Sequence, residues 1–516
     1  MKRPNILFIM ADPLAASALA AYGQALVKTP NLDRLAARGT VFDNAHSPDP
    51  IGASSRFAMM SGQGSSRIGA FDNAAEFPAS VPTFAHYRRA LGYHTGLSGK
   101  MHFVGPDQLH GFEDRVTTDI YPSDFGWTAD WERKAEPGAP SQMSMRGIVE
   151  SGLCVRSLQM DYHDDVAHQS VQWLCDHARR PQADPFMLVS SFTHPHNPFT
   201  ISREYWDLYE HAQIEMPAVP FIPYGERDPW SQRYYKLVRQ DEHHVSDEMI
   251  RSARHAYYGM VSYIDHQVGR LIDTLEKTGA MDNTVIVFTA DHGEMLGERG
   301  MWFNFNPYEQ SIKVPLIIHA PGAPAARRAG ANWSLVDLLP TLLDLATDGQ
   351  PPALADPIDG RSLHRLLHES DPEWNDEALI EFTGEGVHAP ALILRQGHTK
   401  YVYCEGDPGM LFDLKRDPSE LRNLCQDPAY AAMAQQFVDE IERRFEPGRI
   451  KSEVLAFGWP WLLVQCRCGR RHPAAMASIR LEHLAATFTD PQFERCERSE
   501  AAAAGRRQRC GEKANG

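Results

Sequence analysis

Carboxylate and imidazole side chains follow three apolar runs of the sequence, each with the composition of a buried strand. These side chains are Asp12, the pair Asp291 and His292, and the pair His194 and His196. In an open α/β sheet, ligands bind beyond the carboxyl ends of the strands, so we expect these groups at one edge. Carboxylate oxygens suit hard divalent cations, and a histidine ligand shifts the preference towards Mn²⁺ or Zn²⁺. An aspartate that follows a strand is, taken alone, more often a helix cap.

A second set of residues could bind an oxyanion and move a proton. Lys100 and His102 are separated by one residue and follow another apolar stretch. A cation and an imidazole at this spacing could stabilise a developing negative charge and protonate a leaving group. Arg56 lies near the start of a predicted helix and could bind the same anion. A surface loop remains the alternative interpretation of the segment around Lys100.

Strands alternate with helices in the part of the sequence that must position these side chains. This alternation predicts an α/β fold with a mixed, mostly parallel sheet flanked by helices. A long amphipathic stretch begins at Ser246, which has the character of an N-cap, and extends to about Gly279. The predicted strands are residues 5–10, 186–192, 284–289 and 314–319.

The pattern changes near residue 376, where short strands separated by turns predict a small antiparallel sheet followed by a helix. We therefore expect a main α/β domain over residues 1–375 and a smaller α+β domain over residues 376–450. Residues 451–516 are expected to form a divergent tail whose end is disordered, because that end is rich in Ala, Arg and Gly.

Composition excludes several classes of protein. The 516 residues carry 67 acidic and 51 basic side chains, a formal charge of −16, so nucleic acid is not expected as a partner. The chain has no uninterrupted apolar run long enough to span a membrane, so no membrane association is expected. The eight scattered cysteines do not suggest a disulfide framework, which favours a reducing, cytoplasmic compartment. Homo-oligomerisation is left open.

The chain resembles the sulfatase family of the alkaline phosphatase superfamily, and within it the choline sulfatases. The resemblance extends from Pro4 to about Arg444. Its general motifs are PNILFIMAD at 4–12, TPNLDRL at 29–35, GKMH at 99–102, TADHG at 289–293 and LFDLKRDP at 411–418. The narrower motifs are DNAAEF at 72–77, SGKMHFVGPDQLHGF at 98–112 and DIYPSDFGW at 119–127.

The resemblance implies a role for each candidate residue. It implies one divalent cation, with Ca²⁺ expected and Mn²⁺ or Mg²⁺ open, and a small sulfate ester, choline sulfate, as substrate. In such enzymes a cysteine is oxidised to formylglycine, whose hydrate attacks sulfur. The implied metal ligands are Asp12, Asp291 and His292; the implied catalytic residues are Arg56 for the nucleophile, Lys100 and His102 for sulfate and nucleophile, and His194 for the leaving group.

The same resemblance implies a pocket for a quaternary ammonium group, formed by Trp127, Glu385 and Asn73. An aromatic face and a carboxylate are the groups that bind such a cation. The alternative for Trp127 is a role in the hydrophobic core.

Three positions depart from the family pattern. Counting back from Arg56, the nucleophile position is Gly52, so formylglycine is not possible there. Pro13 stands where the family has a further metal ligand, and Asn304 stands where it has a sulfate-binding lysine.

Three functional hypotheses follow. The first is a sulfuric-ester hydrolase that resembles choline sulfatase, with an activity limited by Gly52. The second is a non-catalytic relative that binds a sulfate ester or a quaternary amine. The third is a phosphate- or phosphonate-ester hydrolase that uses metal-bound water.

Overall fold

The computed structural model describes residues 3–120, 127–129, 131, 144–180, 184–369 and 373–467, with side chains as far as residue 458. The predicted disorder at the end of the tail lies outside these residues. The division into domains at residues 375 and 450 stays a prediction; Met1–Leu462 form one compact unit.

A nine-stranded mixed sheet forms the centre of the molecule, and five of its eight strand pairings are parallel. Its first strand is apolar and buried along nearly all its length, as a strand covered on both faces must be. The predicted fold class is therefore confirmed. In spatial order the strands are β11 (Arg327–Ser334), β2 (Thr40–His46), β10 (Leu316–His319), β8 (Thr284–Ala290), β1 (Asn5–Asp12), β6 (Phe186–Pro195), β3 (His94–Gly99) and β4 (Asp114–Arg115), with β9 (Lys313–Val314) beside β2.

Helices flank this sheet, and a short parallel pair, β5 (Gly152–Cys154) and β7 (Thr200–Ser202), lies apart from it. The longest helix starts as predicted, because the Ser246 hydroxyl accepts the backbone N–H of Met249 at 3.3 Å. The helices are α1 (Pro30–Arg38), α2 (Gly52–Ser61), α3 (Phe84–Ala90), α4 (Arg146–Val149), α5 (Leu158–Ala178), α6 (Arg203–Trp206), α7 (Pro229–Leu237), α8 (Asp247–Lys277), α9 (Glu309–Ile312), α10 (Leu338–Thr347), α11 (His364–His368), α12 (Ala431–Phe445) and α13 (Pro447–Arg467).

The C-terminal part of the chain forms a four-stranded antiparallel sheet that α12 covers, as the sequence predicts. Its strands are β12 (Glu377–Phe382), β13 (Ala391–Gln396), β14 (Thr399–Cys404) and β15 (Met410–Asp413).

One strand prediction is wrong in detail. Residues 314–319 do not form a single strand, because Pro315 divides them into β9 and β10, and β10 runs antiparallel to both of its neighbours. Proline has no backbone N–H to give to a sheet, so the pairing is interrupted at that residue.

Within the described residues, no helix combines the length and hydropathy needed to cross a membrane.

Candidate active site

Asp12, Asp291 and His292 come together at the carboxyl ends of β1 and β8. These two strands are adjacent and parallel, and their register pairs Ala11 with Ala290, so the residues that follow lie side by side. The three side chains are buried, and one ligand atom from each lies within 4.8 Å of the other two. The sheet register therefore creates a group of donors of the size that a single cation needs.

Two buried cations balance the two carboxylates. Arg56 donates from Nε to Asp291 Oδ2 at 2.8 Å and from a terminal nitrogen to Asp12 Oδ2 at 3.2 Å. Lys100 Nζ also donates to Asp12 Oδ2. Burial by itself would raise the pKa of Asp12, but the charges of Lys100 and Arg56 hold that pKa well below its usual range. The two carboxylates and the two cations have a combined charge of zero. A bound divalent cation would therefore give the site a net positive charge, which attracts an anion.

The donor set fits a divalent cation. Asp12 Oδ1 is buried, has no hydrogen-bond partner among the described residues, and lies 3.8 Å from Nε2 of His292. Nδ1 of His292 is 3.0 Å from the carbonyl oxygen of Gly293, and a proton on Nδ1 that donates there leaves the lone pair on Nε2. Oδ1 of Asp12 and Nε2 of His292 therefore present lone pairs to the same space.

Gly52 is the first residue of α2 and faces the same space. A Cβ built on Gly52 would lie 3.5 Å from Asp291 Oδ2, 3.5 Å from His102 Nδ1 and 3.8 Å from Asn73 Oδ1. All three are ordinary van der Waals distances, so a Cβ would fit here without strain.

The two nearest serines do not replace a side chain at Gly52. Ser55 donates its hydroxyl to the backbone carbonyl of Asp291 at 2.6 Å and accepts from Ser47 at 3.0 Å. Ser54 is buried and has no hydrogen-bond partner among the described residues. Because it follows Gly52 by two positions on the helix, Ser54 lies on a different face.

His102 lies directly beyond β3 in a left-handed backbone conformation with φ of 64°. Its Nε2 is 3.1 Å from the carbonyl oxygen of Asn73, to which it donates. The carboxylate of Asp119 accepts the backbone N–H groups of Met101 and His102, at 3.1 and 3.2 Å. Burial, followed by the charges of Lys100 and Arg56, lowers the pKa of His102 to about 3, so the imidazole is neutral at pH 7.

The structure separates the two histidines of the Thr-His-Pro-His segment. The ring of His194 packs against His163 of α5 and Tyr263 of α8, at 4.3 and 5.5 Å between centroids. Burial lowers its pKa to about 3. His196, not His194, interacts electrostatically with Lys100 and Asp12. The leaving-group role that the resemblance implies for His194 stays a prediction.

The residues predicted to bind the substrate lie on loops around Gly52. The rings of Trp127 and His102 pack at an interplanar angle of 61°, with centroids 5.4 Å apart. Asn73 accepts the backbone N–H of Ala53 at 3.0 Å through its side-chain oxygen. Asn304 donates to the carbonyl oxygen of Pro50 at 2.6 Å, and its amide nitrogen is 3.4 Å from Nε2 of His292.

Glu385 is buried in the loop after β12. The preceding residue, Gly384, packs against Ile51, and its carbonyl accepts the indole N–H of Trp131 at 3.5 Å. The loop therefore reaches both the start of α2 and the segment that carries Trp127.

Asp72 joins the segments that carry Asn73 and Trp127. Its carboxylate accepts the backbone N–H of Ala74 at 2.9 Å and also that of Ala129. Burial raises the pKa of Asp72 to about 7, although these hydrogen bonds oppose the rise. Sequence reasoning did not single out Asp72 or Asp119, and it placed His196 at the sheet edge without giving it a catalytic role. Asp72 and Asp119 begin two of the motifs that carry the resemblance, DNAAEF and DIYPSDFGW. Their place in these motifs was the sequence signal that could have identified them.

The architecture places the chain among ester hydrolases with the alkaline-phosphatase-like fold. The phosphonate monoester hydrolase of Agrobacterium radiobacter has a similar structure, with a TM-score of 0.67 and 25% identity over 88% of this chain and 96% of that one. A protein solved with its substrate D-glucosamine-2-N,6-O-disulfate shares the fold, with a TM-score of 0.67 and 23% identity over 86% and 98% of the two chains.

The chain belongs to the sulfatase family, whose family model matches residues 4–348. A second family model, that of the C-terminal part of N-sulphoglucosamine sulphohydrolase, matches residues 297–446. The chain is 43% identical to the choline-sulfatase of Rhizobium meliloti over 430 residues, which cover 83% of each protein. It is 27% identical to the arylsulfatase of Clostridium perfringens, over 89% of this chain and 98% of that one. Its class is that of the sulfuric-ester hydrolases, which bind a divalent metal.

Proposed function

We propose that this protein binds and hydrolyses choline sulfate or a closely similar sulfate ester with a quaternary ammonium group. The observation that carries the proposal is a chain of contacts at the site: the Cβ position of Gly52 lies beside Asp291 and His102, two cations pair with Asp12 and Asp291, and Trp127 packs on His102. The similarity to a choline-sulfatase at 43% identity supports the same substrate class.

In this proposal Asp12, Asp291 and His292 hold one divalent cation, and Ca²⁺ is the expected ion because two of the three donors are carboxylates. When bound, the ion would polarise the sulfate group. Lys100 contacts the sulfate oxygens, and Lys100 and Arg56 together hold the two carboxylates in place, as preorganised charges that stabilise developing negative charge. His196 in its protonated form gives a proton to the alcohol oxygen as it leaves; burial and the charge of Lys100 lower the pKa of His196, so this form is the minority at pH 7.

The ammonium end of the substrate lies against Trp127, with Glu385 and Asn73 completing the pocket. A trimethylammonium group is attracted to the face of an indole ring and to a carboxylate, most strongly where water is excluded. Asn304 stands in place of a sulfate-binding lysine and provides a neutral hydrogen-bond donor. Its hydrogen bond to sulfate is therefore weaker than that of a charged donor.

The absence of a side chain at Gly52 favours one alternative function. A chain that lacks the covalent nucleophile can still bind the ester, and would then act as a sensor or carrier of quaternary amines. The phosphonate monoester hydrolase with a similar structure gives a second alternative, hydrolysis of a phosphate or phosphonate ester by an attacking water.

We also propose the cytoplasm as the compartment of this protein, because Cys154, Cys175, Cys404 and Cys425 are free thiols.

One assay separates these functions. Purified protein is incubated with Ca²⁺ and either choline sulfate or the phenyl ester of a phosphonic acid, and released sulfate and phenol are measured. Slow release of sulfate supports the proposed hydrolase. Choline binding with no release of either product supports the sensor, and release of phenol alone supports the second alternative.

Calcium binding is expected to be weak and to depend on Asp291. Three protein donors are fewer than the six to eight oxygens that Ca²⁺ prefers, so solvent must complete its coordination. Asp291→Asn removes one of the two charged donors and should weaken calcium binding at least about tenfold in titration calorimetry. Asp359→Asn, at an exposed carboxylate paired with Arg67, is the matched control. Equal calcium affinity for the parent and Asp291→Asn would place the metal elsewhere.

Choline binding is expected to depend on Trp127. Trp127→Ala removes the aromatic face and should lose about 1–2 kcal/mol of binding free energy, or about a 5- to 30-fold rise in Kd for choline. Titration calorimetry measures both proteins, and Trp173→Ala, at a tryptophan that packs on His94 and His177, is the control. Undiminished choline binding by Trp127→Ala would show that the indole is not part of the pocket.

A further inference from the structure

Glu385 lies in the loop between β12 and β13, where the chain alone does not fix its position. The residue is buried and stands between two glycines, Gly384 and Gly386. Gly386 has a φ of 89°, in the left-handed region that favours glycine. Because glycine permits many backbone conformations, the direction of the Glu385 carboxylate depends on the contacts that hold the loop from outside.

Arg233 of α7 holds this loop directly after Glu385. Its Nε donates to the carbonyl oxygen of Gly386 at 3.0 Å, and its two terminal nitrogens donate to the two carboxylate oxygens of Asp407, at 2.9 and 2.5 Å. The side chains of Arg233 and Asp407 are largely buried, with 16% and 11% of their surface exposed. One planar guanidinium therefore joins the helix, the loop after β12 and the turn after β14.

The turn after β14 also holds the far end of the loop. Nε2 of His388 is 2.8 Å from the carbonyl oxygen of Glu405, to which it donates. His388, Cys404 and Asp407 have ligand atoms within 4.8 Å of one another. Both oxygens of Asp407 already accept hydrogen bonds from Arg233, so this carboxylate is engaged in the attachment of the loop.

We propose that Arg233 and Asp407 are positioning residues: the pair fixes Glu385 in the ammonium pocket and thereby makes the protein prefer cationic sulfate esters to neutral ones. The inference rests on the proposed function, in which Glu385 contacts the ammonium group. Arg233 and Asp407 do not touch the ligand and act through Glu385. Asp407 also neutralises the charge of Arg233, which would otherwise weaken the binding of a cation nearby.

Choline and 3,3-dimethylbutanol measure this preference without turnover, because they have the same shape and differ in one positive charge. The preference is the ratio of their two Kd values from titration calorimetry. Arg233→Met should lower the preference of the parent for choline at least about fivefold, as Glu385→Gln should. Arg233→Lys keeps the charge beside Asp407 but cannot also donate to Gly386 with the same geometry, so its preference should fall as well.

Arg444→Met is the matched control. Arg444 joins α12 to the same antiparallel sheet through hydrogen bonds of 3.2 Å to both carboxylate oxygens of Glu377, at the start of β12 and away from the loop. Its variant should lose a similar amount of stability in urea and keep the preference of the parent. A double variant gives a second readout. Because Arg233 acts through Glu385, adding Arg233→Met to Glu385→Gln should change the preference by less than about twofold.

The preference of the parent retained by folded Arg233→Met or, where that variant does not fold, by Arg233→Lys would overturn the inference. Equal losses of preference in Arg233→Met and Arg444→Met would also overturn it, as would additive effects in the double variant. These outcomes leave the proposed function intact. A parent that binds choline no more tightly than 3,3-dimethylbutanol would overturn the proposed substrate together with the inference, so the two failures are distinguishable.

Discussion

Gly52→Cys combined with Ser54→Pro, produced together with a formylglycine-generating enzyme, is expected to hydrolyse choline sulfate at least about 10³-fold faster than the parent. The Cβ position at Gly52 lies 3.5 Å from Asp291 Oδ2 and points into the group of donors, so a formylglycine hydrate would start next to the sulfur atom. Attachment to the chain fixes the attacking oxygen, which removes much of the entropy cost of bringing it to the ester. The proline is included because the modifying enzyme reads it. Released sulfate is measured by ion chromatography.

The same double variant produced without the modifying enzyme is the control, and mass spectrometry reports the conversion of the cysteine in each preparation. Activity should follow the converted fraction. Fully converted protein that works no faster than the parent would show that Gly52 is not the nucleophile position, unless Asn304→Lys in the same background restores the rate by returning a charged sulfate donor. Failure of that triple variant would leave no place for the family's covalent mechanism in this chain.

Arg56→Met is expected to lower the free energy of unfolding by about 3–5 kcal/mol in metal-free buffer. The guanidinium is fully buried and contacts two carboxylates that are also fully buried, Asp12 and Asp291. Methionine has a comparable length but no charge, so Asp291 loses its ion pair with Arg56. Buried charges without a counterion are among the most destabilising features of a folded protein. Urea unfolding followed by circular dichroism measures the difference.

Arg67→Met provides the comparison, because Arg67 pairs with Asp359 at 2.8 Å but both side chains are more than 40% exposed. Exposed pairs contribute at most about 1 kcal/mol, so this variant should stay close to the parent. Saturating Ca²⁺ should recover part of the stability lost in Arg56→Met, since a bound cation replaces part of the missing positive charge. If both arginine variants unfold at the same urea concentration, the two buried carboxylates are not held by Arg56.

The central strands could be predicted from the sequence because each is an uninterrupted apolar run. β1, β6 and β8 are buried on both faces, so their residues need no alternation. The outer strands could not be found in this way. β11 at the edge contains Arg327 and Arg328 and alternates between partly buried and exposed positions, so its composition is that of a surface segment.

The candidate site was predictable where a residue directly follows a strand, and less so where the end of the strand was misjudged. Asp12 and Asp291 follow apolar runs whose ends are clear. The apolar run of β6 ends at Phe192, but the strand continues to Pro195. His194 therefore remains inside the strand and packs against α5 and α8, while His196 is the histidine beyond its end. The choice between two histidines two residues apart depends on tertiary packing, which the pattern of apolar residues does not record.

The charge balance of the site has a consequence for how this sequence could change over generations. Arg56 and Lys100 neutralise Asp12 and Asp291 without any contribution from position 52. Gly52 begins its helix with no side-chain cap at that end, and its neighbours hold one another in place through hydrogen bonds that do not involve it. A substitution at position 52 leaves these ion pairs and hydrogen bonds in place, so we expect that a lineage can lose or regain a side chain there at little cost in stability. Selection at position 52 is then expected to act mainly on chemistry, whereas selection at Arg56 is expected to act on folding as well.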